Sequence, residues 1–274
     1  MPGAASFTLV NGRETDQLPL SDRGLAYGDG LFETLRIVRG TAPLQALHLQ
    51  RLQRGGQALR LPLPSELSGE LSAAAKRLGD GVLKLIVTRG SGQRGYAMSV
   101  DSEPSCIISA SPLPEYPEVH AEQGIHLYAC STRLAQQPLL AGIKHLNRLE
   151  QVLARSEWRS SEFAEGLVCD QHGQPIECTM SNLFLYAEGG WVTPELTQCG
   201  VQGVMRDWLI AALQARGEPV QIRQVTYQEF LAADEVMCCN SLFGVWPVVQ
   251  LADRQWPVGV QTRQMQSLAK QVYS

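Results

Sequence analysis

The lysine at position 144 is the residue of this sequence that most directly suggests covalent chemistry. The 274-residue chain has only four lysines against 19 arginines, and Lys144 stands in "GIKHLNRLEQVLAR", just before an amphipathic helical pattern. An amine can lose its proton and attack a carbonyl carbon, whereas a guanidinium effectively stays protonated. The segment therefore predicts a nucleophilic lysine. The alternative is an ordinary surface lysine at the start of a helix.

Two further stretches predict a phosphate site. Arg51 lies in "HLQRLQR" on one face of a predicted helix, and its planar guanidinium suits a phosphate. In "QGVMRDWLIAAL" a glycine precedes a helix whose first residues are Val204 and Met205. The first N–H groups of a helix lack partners within it and lie at its positive end, so they can bind anions. A solvated helix arginine and an ordinary turn are the alternatives.

Glu177 supplies a third kind of group. It lies between apolar strand residues in "PIECTMSNLFLY", where a half-buried carboxylate needs a partner such as a protonated ring nitrogen. An edge-strand glutamate that faces water is the alternative. Taken together, the lysine, the phosphate site and the carboxylate describe a ligand with an aldehyde, a phosphate and a basic ring nitrogen. Pyridoxal 5′-phosphate carries all three groups.

The elements that must position these residues follow from the hydrophobic pattern. Helical spacing predicts helices over "LQALHLQRLQRGGQAL", loosened at Gly55-Gly56, over "ELSGELSAAAKRL", over 147–159, over "GVMRDWLIAALQARG" and near the C-terminus. Alternating or continuous apolar runs such as "GLFETLRIVRG", "GVLKLIVTRG", "IHLYACST" and "DEVMCCN" predict strands.

The length favours two domains. The proline-rich stretch "SPLPEYPEVHAEQG" is the candidate linker. We therefore predict a smaller N-terminal α/β domain over residues 1–113, a linker over 114–122, and a larger β-rich domain with helices over 123–274.

Composition narrows the class of partner. The formal net charge of −4 gives no electrostatic reason to expect nucleic acid or an anionic membrane. Seven scattered cysteines without a CxxC pair, and five histidines without ligand spacing, argue against a disulfide framework and a metal site. Most of these cysteines are expected to be buried. With no signal-peptide or transmembrane pattern, we expect a cytoplasmic protein.

The order of these motifs resembles the fold-type IV pyridoxal-phosphate enzymes. The matching stretches, which span nearly the whole chain, are "SDRGLAYGDGLFETLR", "HLQRL", "GVLKLIVTRGSGQRGY", "AGIKHLNRLEQVLAR", "ECTMSNLF", "GVQGVMR" and "CNSLFGVWPV". The lysine segment and "RGSGQRGY" look most like the aminodeoxychorismate lyase branch. A branched-chain aminotransferase would typically read "FEGIR" where this chain has "FETLR".

The resemblance implies an α+β, two-domain D-amino acid aminotransferase-like fold with the active site between the domains. It implies that Lys144 binds pyridoxal 5′-phosphate covalently and that Glu177 pairs with the ring nitrogen. The remaining implied cofactor contacts are Arg51, the backbone of Val204 and Met205, Ser241 with Asn240 beside it, and Arg148, which lies near where aminotransferases carry a tyrosine.

The implied reaction converts 4-amino-4-deoxychorismate to 4-aminobenzoate and pyruvate. Thr34 is the candidate group at the leaving oxygen, and Arg94 and Arg89 are the candidate cations for the substrate carboxylates. Tyr27 is a further candidate contact, with Asp29 near it, and the family implies a homodimer. An aminotransferase of the same fold type, or a dimer that binds the cofactor without catalysis, remains an alternative.

Overall fold

The computed structural model describes residues 6–98 and 103–274, and these form an α+β fold. The helices are α1 (Arg23–Tyr27), α2 (Gln45–Leu59), α3 (Leu67–Leu78), α4 (Glu118–Glu122), α5 (Leu149–Ser156), α6 (Val204–Ala215), α7 (Tyr227–Ala232) and α8 (Val260–Gln271). The strands are β1 (Phe7–Val10), β2 (Arg13–Glu14), β3 (Gly30–Ile37), β4 (Gly81–Thr88), β5 (Ser105–Ser111), β6 (Ile125–Leu134), β7 (Phe163–Asp170), β8 (Pro175–Cys178), β9 (Asn182–Ala187), β10 (Gly190–Pro194), β11 (Gln221–Arg223), β12 (Glu235–Asn240), β13 (Gly244–Leu251) and β14 (Arg254–Gln255).

The chain divides into two compact units. The first contains Met1–Pro114 together with the short segment Ile143–Asn147, and the second contains Glu115–Gly142 and Arg148–Ser274. The segment that carries Lys144 therefore belongs to the first unit, although the chain on both sides of it belongs to the second.

The first unit is built on a five-stranded antiparallel sheet with the order β2-β1-β5-β4-β3. Strand β3 alternates in burial as its sequence predicts, with Leu31, Leu35 and Ile37 on the buried face. Helix α2 packs on β3. The alternation therefore fixes which side chains of β3 point into the core.

The expected loosening of α2 at Gly55-Gly56 is wrong, because the helix runs unbroken through both residues. A Cβ built on Gly55 would lie 2.7 Å from Leu31 Cδ2, so glycine here permits close packing of α2 on β3. The glycine pair serves helix–sheet contact and does not end the helix.

The second unit is built on a nine-stranded mixed sheet. Its strands follow the order β11-β10-β9-β12-β13-β6-β7-β8, with β14 beside β13. A further pairing of β8 with β9, made through Glu177 and Asn182, closes six of the strands into a ring. The core of this unit includes Leu127, Leu183, Phe230 and Trp246, all almost fully buried.

The sequence pattern did not predict several short elements. Helix α4 lies inside the stretch predicted as the linker, and α1, α7, β10 and β14 were not predicted. All seven cysteines are free and buried, which confirms the prediction for most of them. Across the two described stretches, no helix is long and apolar enough to cross a membrane.

Candidate active site

Lys144 is held beside the start of β3 by backbone hydrogen bonds. Its carbonyl accepts from Phe32 N at 2.9 Å, Leu146 N donates to the carbonyl of Gly30 at 3.0 Å, and His145 forms an antiparallel bridge with Leu31. The half-buried amine lies 4.4 Å from the centre of the Phe32 ring. The backbone of Lys144 is thus fixed as a short extra strand.

Thr34 lies on the same face of β3 as Phe32. These two residues and Arg36 are half-buried, whereas the residues between them point into the core. The structure therefore places Thr34 on the face of the strand that carries the lysine's aromatic neighbour.

Arg51 is bound by a carboxylate that the sequence reading missed. Its Nε donates to Glu33 Oε1 at 2.8 Å, and its Nη2 donates to Glu33 Oε2. His48 Nδ1 lies 2.6 Å from the same Oε2, and all three side chains are buried. The guanidinium is therefore fixed in one orientation by two hydrogen bonds from the same arginine to one carboxylate.

The electrostatics of this cluster keep Glu33 charged. Burial alone would raise the pKa of Glu33, but Arg51 and His48 outweigh it and lower the pKa to about 2. Burial lowers the pKa of His48; Glu33 opposes this effect, and the positive charges of Arg51 and Lys144 add to it. Neutral His48 then donates its Nδ1 proton to the ionised Glu33.

Arg89 is buried in the first unit, where it is paired with a carboxylate. It is 2% exposed, its Nε and Nη2 donate to Asp29, and its guanidinium also donates to the carbonyls of Leu59 and Arg60. Burial alone would raise the pKa of Asp29, but Arg89 and Arg23 outweigh it and lower it. The pair fixes the chain before β3.

Arg94 and Tyr27 lie at the glycine-rich segment that follows β4. The side chain of Arg94 is exposed, and the hydroxyl of Tyr27 accepts from Gly95 N at 3.0 Å. The connection to β5 also contains residues 99–102, which lie outside the described residues. Of the two candidate arginines, Arg94 is therefore the exposed one and Arg89 the buried one.

Glu177 is 5% exposed and lies on β8 in the second unit. Its Oε2 accepts from Val201 N at 2.8 Å, and its Oε1 accepts from Gln151 Nε2 at 3.4 Å. The expected buried carboxylate between strands is present, and neutral donors orient it.

Helix α6 begins at Val204, and the N-cap residue before it is Gly203, which has no side chain to cap the first turn. Val204 and Met205 are buried in that turn. Asn182 Nδ2 donates to the carbonyl of Val201 at 2.8 Å, and a Cβ built on Gly203 would collide with Asn182 Oδ1. Glycine is therefore required for this approach of the helix end to β9.

Arg206 fixes the other side of the same turn. Its Nε donates to Thr193 Oγ1 at 3.2 Å and its Nη2 to the carbonyl of Pro194 at 3.1 Å, both on β10. Burial lowers the pKa of Arg206, although Asp207 opposes this. The first turn of α6 is thereby attached to the sheet.

Asn240 and Ser241 lie where β12 ends. Asn240 Nδ2 donates to the carbonyl of Met180 at 3.2 Å, and its Oδ1 accepts from the backbone of Leu242 and Phe243. The carbonyl of Ser241 accepts from Tyr273 Oη at 2.7 Å. The side chain of Asn240 therefore shapes this turn. Arg148 is the half-buried residue that precedes α5.

The predicted residues thus fall into two groups. The first unit contains Lys144, Thr34, Arg51, Arg89, Arg94 and Tyr27, and the second contains Glu177, Val204, Met205, Asn240, Ser241 and Arg148. The sequence reading missed Glu33, His48, Gln151, Asn182 and Val201. A signal for Glu33 was present, because it occupies a core-facing position in the alternation of β3.

Residues 30–251 match the model of the family described as amino-transferase class IV. The chain belongs to this family. Among curated proteins, it is 39% identical to an aminodeoxychorismate lyase of Vibrio harveyi, over 94% of this chain and 97% of that protein. A putative branched-chain-amino-acid aminotransferase of Methanocaldococcus jannaschii is 28% identical over 89% of this chain and 88% of that protein.

The chain is also similar in structure to solved proteins. The crystal structure of 4-amino-4-deoxychorismate lyase from Pseudomonas aeruginosa has a TM-score of 0.95 and 52% identity, and the match covers 96% of this chain and 98% of that one. The branched-chain aminotransferase of Escherichia coli, at 23% identity and a TM-score of 0.85, covering 98% of this chain and 94% of that one, shares the fold.

The described residues fit pyridoxal 5′-phosphate, the cofactor of this family. Lys144 offers an amine for its aldehyde, and Glu177 offers a buried carboxylate for its ring nitrogen. The first turn of α6 offers helix N–H groups at an end without a side-chain cap, where glycine admits a close approach.

Proposed function

We propose that the chain is a pyridoxal-phosphate-dependent lyase that converts 4-amino-4-deoxychorismate to 4-aminobenzoate, a folate precursor, and pyruvate. The observation that carries the proposal is the likeness to two enzymes of this name, at 39% and 52% identity, along nearly the whole length of each. The lysine of the first unit and the carboxylate of the second unit supply the residue types that this chemistry needs.

Lys144 would hold the cofactor and then act as the base. When bound, pyridoxal phosphate supplies an aldehyde that takes up the substrate amine and a ring that accepts the electron pair released by proton loss. Nζ of Lys144 would remove the proton from the substrate carbon that bears nitrogen. Thr34, on the face of β3 that carries Phe32, would orient or protonate the leaving oxygen.

The other residues would bind and orient. Glu177 would keep the ring nitrogen protonated, and Arg51, aligned by Glu33, would bind the phosphate. The further proposed phosphate contacts are the backbone N–H groups of Val204 and Met205 and the hydroxyl of Ser241. Asn240 would shape the turn beside them, and Arg148 would lie near the cofactor ring. Arg94 and Tyr27 would contact the substrate.

The decisive experiment incubates the holoenzyme with aminodeoxychorismate and no keto acid, and follows both products. We expect 4-aminobenzoate and pyruvate in equal amounts. Lys144→Ala and Lys144→Arg should release neither, because no amine remains to hold the cofactor or take the proton.

Lys84→Ala is the matched control for loss of a lysine. Its amine lies 5.8 Å from the centre of the same Phe32 ring, but its side chain is exposed on β4, so the variant should keep its activity. Pyruvate release by Lys144→Ala at the parent rate would refute the proposal.

The second candidate is an aminotransferase, favoured by the likeness to a D-alanine aminotransferase of Bacillus licheniformis at 26% identity, over 89% of this chain and 87% of that protein. It would use the same residues to hold the cofactor, which would then supply transfer of the amino group to a keto acid. Amino-group exchange with an added keto acid, without pyruvate release from aminodeoxychorismate, would select it.

We also propose that the enzyme works as a homodimer in the cytoplasm. Helix α5 exposes Leu149, Val152 and Leu153 by 74%, 60% and 58%, a spacing that puts all three on one helical face. A second copy of the chain would cover this face. Seven cysteines with free thiols are typical of a reducing compartment.

Sedimentation measurements test the dimer. The double variant Val152→Glu/Leu153→Glu should be monomeric, because it places charge in the proposed interface. Val260→Glu, at a single exposed apolar residue on α8, should leave the association unchanged. A double variant that still sediments as a dimer would exclude this face.

A further inference from the structure

Glu165 is a completely buried carboxylate that the proposed chemistry does not use. It lies on β7 with 0% exposure. Its Oε1 accepts from Thr179 Oγ1, and from Gly166 N at 3.3 Å, and its Oε2 accepts from Ser181 Oγ at 2.7 Å and Met180 N at 3.0 Å. These donors are two hydroxyls and two backbone N–H groups, all uncharged.

Such a group is costly to bury, because a carboxylate loses its hydration and here gains no opposite charge from those donors. Burial raises the pKa of Glu165, although the hydrogen bonds from Ser181 and Thr179 oppose the shift. Three of the four donors belong to consecutive residues, 179–181. The carboxylate therefore holds one particular turn.

This turn joins β8 to β9 and lies next to the pairing that closes the ring of strands. Cys178 N donates to the carbonyl of Ser181 at 2.7 Å, and Glu177 pairs with Asn182 immediately outside the turn. The position of Glu177 along β8 is thus set by a turn whose inner side is bound to Glu165.

Two other parts of the candidate site attach to this turn or to the strand residues that flank it. Val201 N donates to Glu177 and its carbonyl accepts from Asn182, which fixes the chain that leads into α6. The side chain of Asn240 donates to the carbonyl of Met180, which fixes the turn after β12. The carboxylate partner of the ring nitrogen and both proposed phosphate-binding segments of the second unit therefore share one support.

We propose that Glu165 is a positioning residue that sets the geometry of the cofactor-binding residues of the second unit through the 179–181 turn. The inference rests on the proposed function, since it takes Glu177 and the start of α6 as cofactor contacts. When Glu165 is replaced, the turn shifts, and the carboxylate of Glu177 and the N–H groups of α6 lose their common alignment.

The test compares Glu165→Gln and Thr179→Val with the wild type, by titration of the apoprotein with pyridoxal phosphate. Each variant should bind the cofactor roughly tenfold more weakly, the effect expected when one hydrogen bond of such a network is lost. The pH midpoint of the visible absorption change should also rise. That change reports protonation of the nitrogen that would join the cofactor to Lys144, and this nitrogen becomes more basic when a loosened Glu177 leaves the ring nitrogen less firmly protonated.

Glu235→Gln is the matched control. Glu235 is also a buried carboxylate of the second unit, but it accepts from the backbone of Gln261 and Thr262 at the start of α8. This variant should lose thermal stability while its cofactor affinity and absorption stay at wild-type values. A general loss of stability therefore does not imitate the predicted effect.

A double-mutant cycle completes the test. Thr179→Val should weaken binding less in the Glu165→Gln background than in the wild type, because glutamine keeps only one acceptor oxygen and both changes disrupt the same hydrogen-bond network. If Glu165→Gln does not fold, cofactor titration of Thr179→Val alone still tests the inference. Wild-type affinity and absorption in Thr179→Val would overturn the inference alone, whereas a wild-type protein that takes up no cofactor would overturn the proposed function with it.

Discussion

Glu33 sets the orientation of the Arg51 guanidinium. A lone buried guanidinium would lose its hydration without compensation, but Glu33 binds two of its nitrogens and His48 donates to the same carboxylate. The carboxylate is then almost saturated with donors, and the arginine has little freedom to rotate. Phosphate binding by Arg51 would thus depend on a residue that does not itself contact phosphate.

Glu33→Gln should destabilise the apoprotein by about 3–5 kcal/mol, because the change leaves a buried arginine without its counter-charge. It should also weaken the binding of pyridoxal phosphate. Urea denaturation and cofactor titration measure the two effects separately.

Glu14→Gln provides the comparison at an exposed pair. Glu14 binds Arg77 through two hydrogen bonds at the surface, where solvent screens the attraction, so stability and cofactor affinity should stay at wild-type values. Equal effects of the two substitutions would contradict the role given to Glu33.

The start of α6 is shaped by contacts with two strands. Asn182 on β9 binds the chain at Val201 and occupies the space that a side chain at Gly203 would need. On the other side, Arg206 ties the first turn to β10. The helix end is therefore fixed from two strands, which suits a site that must present backbone N–H groups in a set direction.

Gly203→Ala should weaken cofactor binding by roughly tenfold, since the new methyl group displaces either Asn182 or the first turn of α6. Equilibrium titration with pyridoxal phosphate measures the change. A wild-type affinity would show that the turn does not contact the cofactor.

Gly69→Ala is the control for adding a methyl group to a helical glycine. Nothing lies within 4 Å of a Cβ built there, at an exposed position in α3. The variant should raise the unfolding free energy by roughly 0.5–1 kcal/mol through backbone entropy, and leave cofactor binding unchanged.

Periodicity was sufficient to predict the long elements. Each of these elements buries one face. The apolar residues of α2 and α6 therefore recur at helical spacing, and those of β3 alternate with polar ones. The short helices α1 and α7 bury little apolar surface, so they left no comparable pattern. The cap of α7, Thr226 with Glu229, was a readable signal that was not used.

Periodic patterns could not predict contacts between residues that are far apart in the sequence. Val201 binds Glu177 from 24 residues away, and Arg89 binds Asp29 from 60 residues away. Both contacts depend on how strands are ordered in a sheet, which single-chain spacing does not determine. Spacing along the chain therefore did not predict that Arg89 is buried against Asp29.

The stability of the whole molecule should fall on acidification in two ranges. His48 has a pKa lowered from 6.5 and Glu33 has one lowered from 4.5 to about 2, so each stabilises the fold fully only above the unfolded value. As the pH falls below 6.5 the contribution of His48 is lost. Between about 4.5 and 2 that of Glu33, about 3 kcal/mol, is lost as well.

Urea denaturation of the apoprotein from pH 8 to pH 3 checks this dependence. His48→Asn should flatten the range just below pH 6.5, and Glu33→Gln should flatten the range below about 4.5. A wild-type curve that is level from pH 8 to 3 would contradict both assignments.

Because Ile143–Asn147 belongs to the first unit, the chain is difficult to divide into two fragments that fold separately. A break after Pro114 would leave the N-terminal fragment without the segment that carries Lys144, and a break after Asn147 would take residues 115–142 away from the C-terminal fragment. No single cut yields two self-contained pieces, so split-protein complementation of this enzyme should require both fragments to fold in each other's presence.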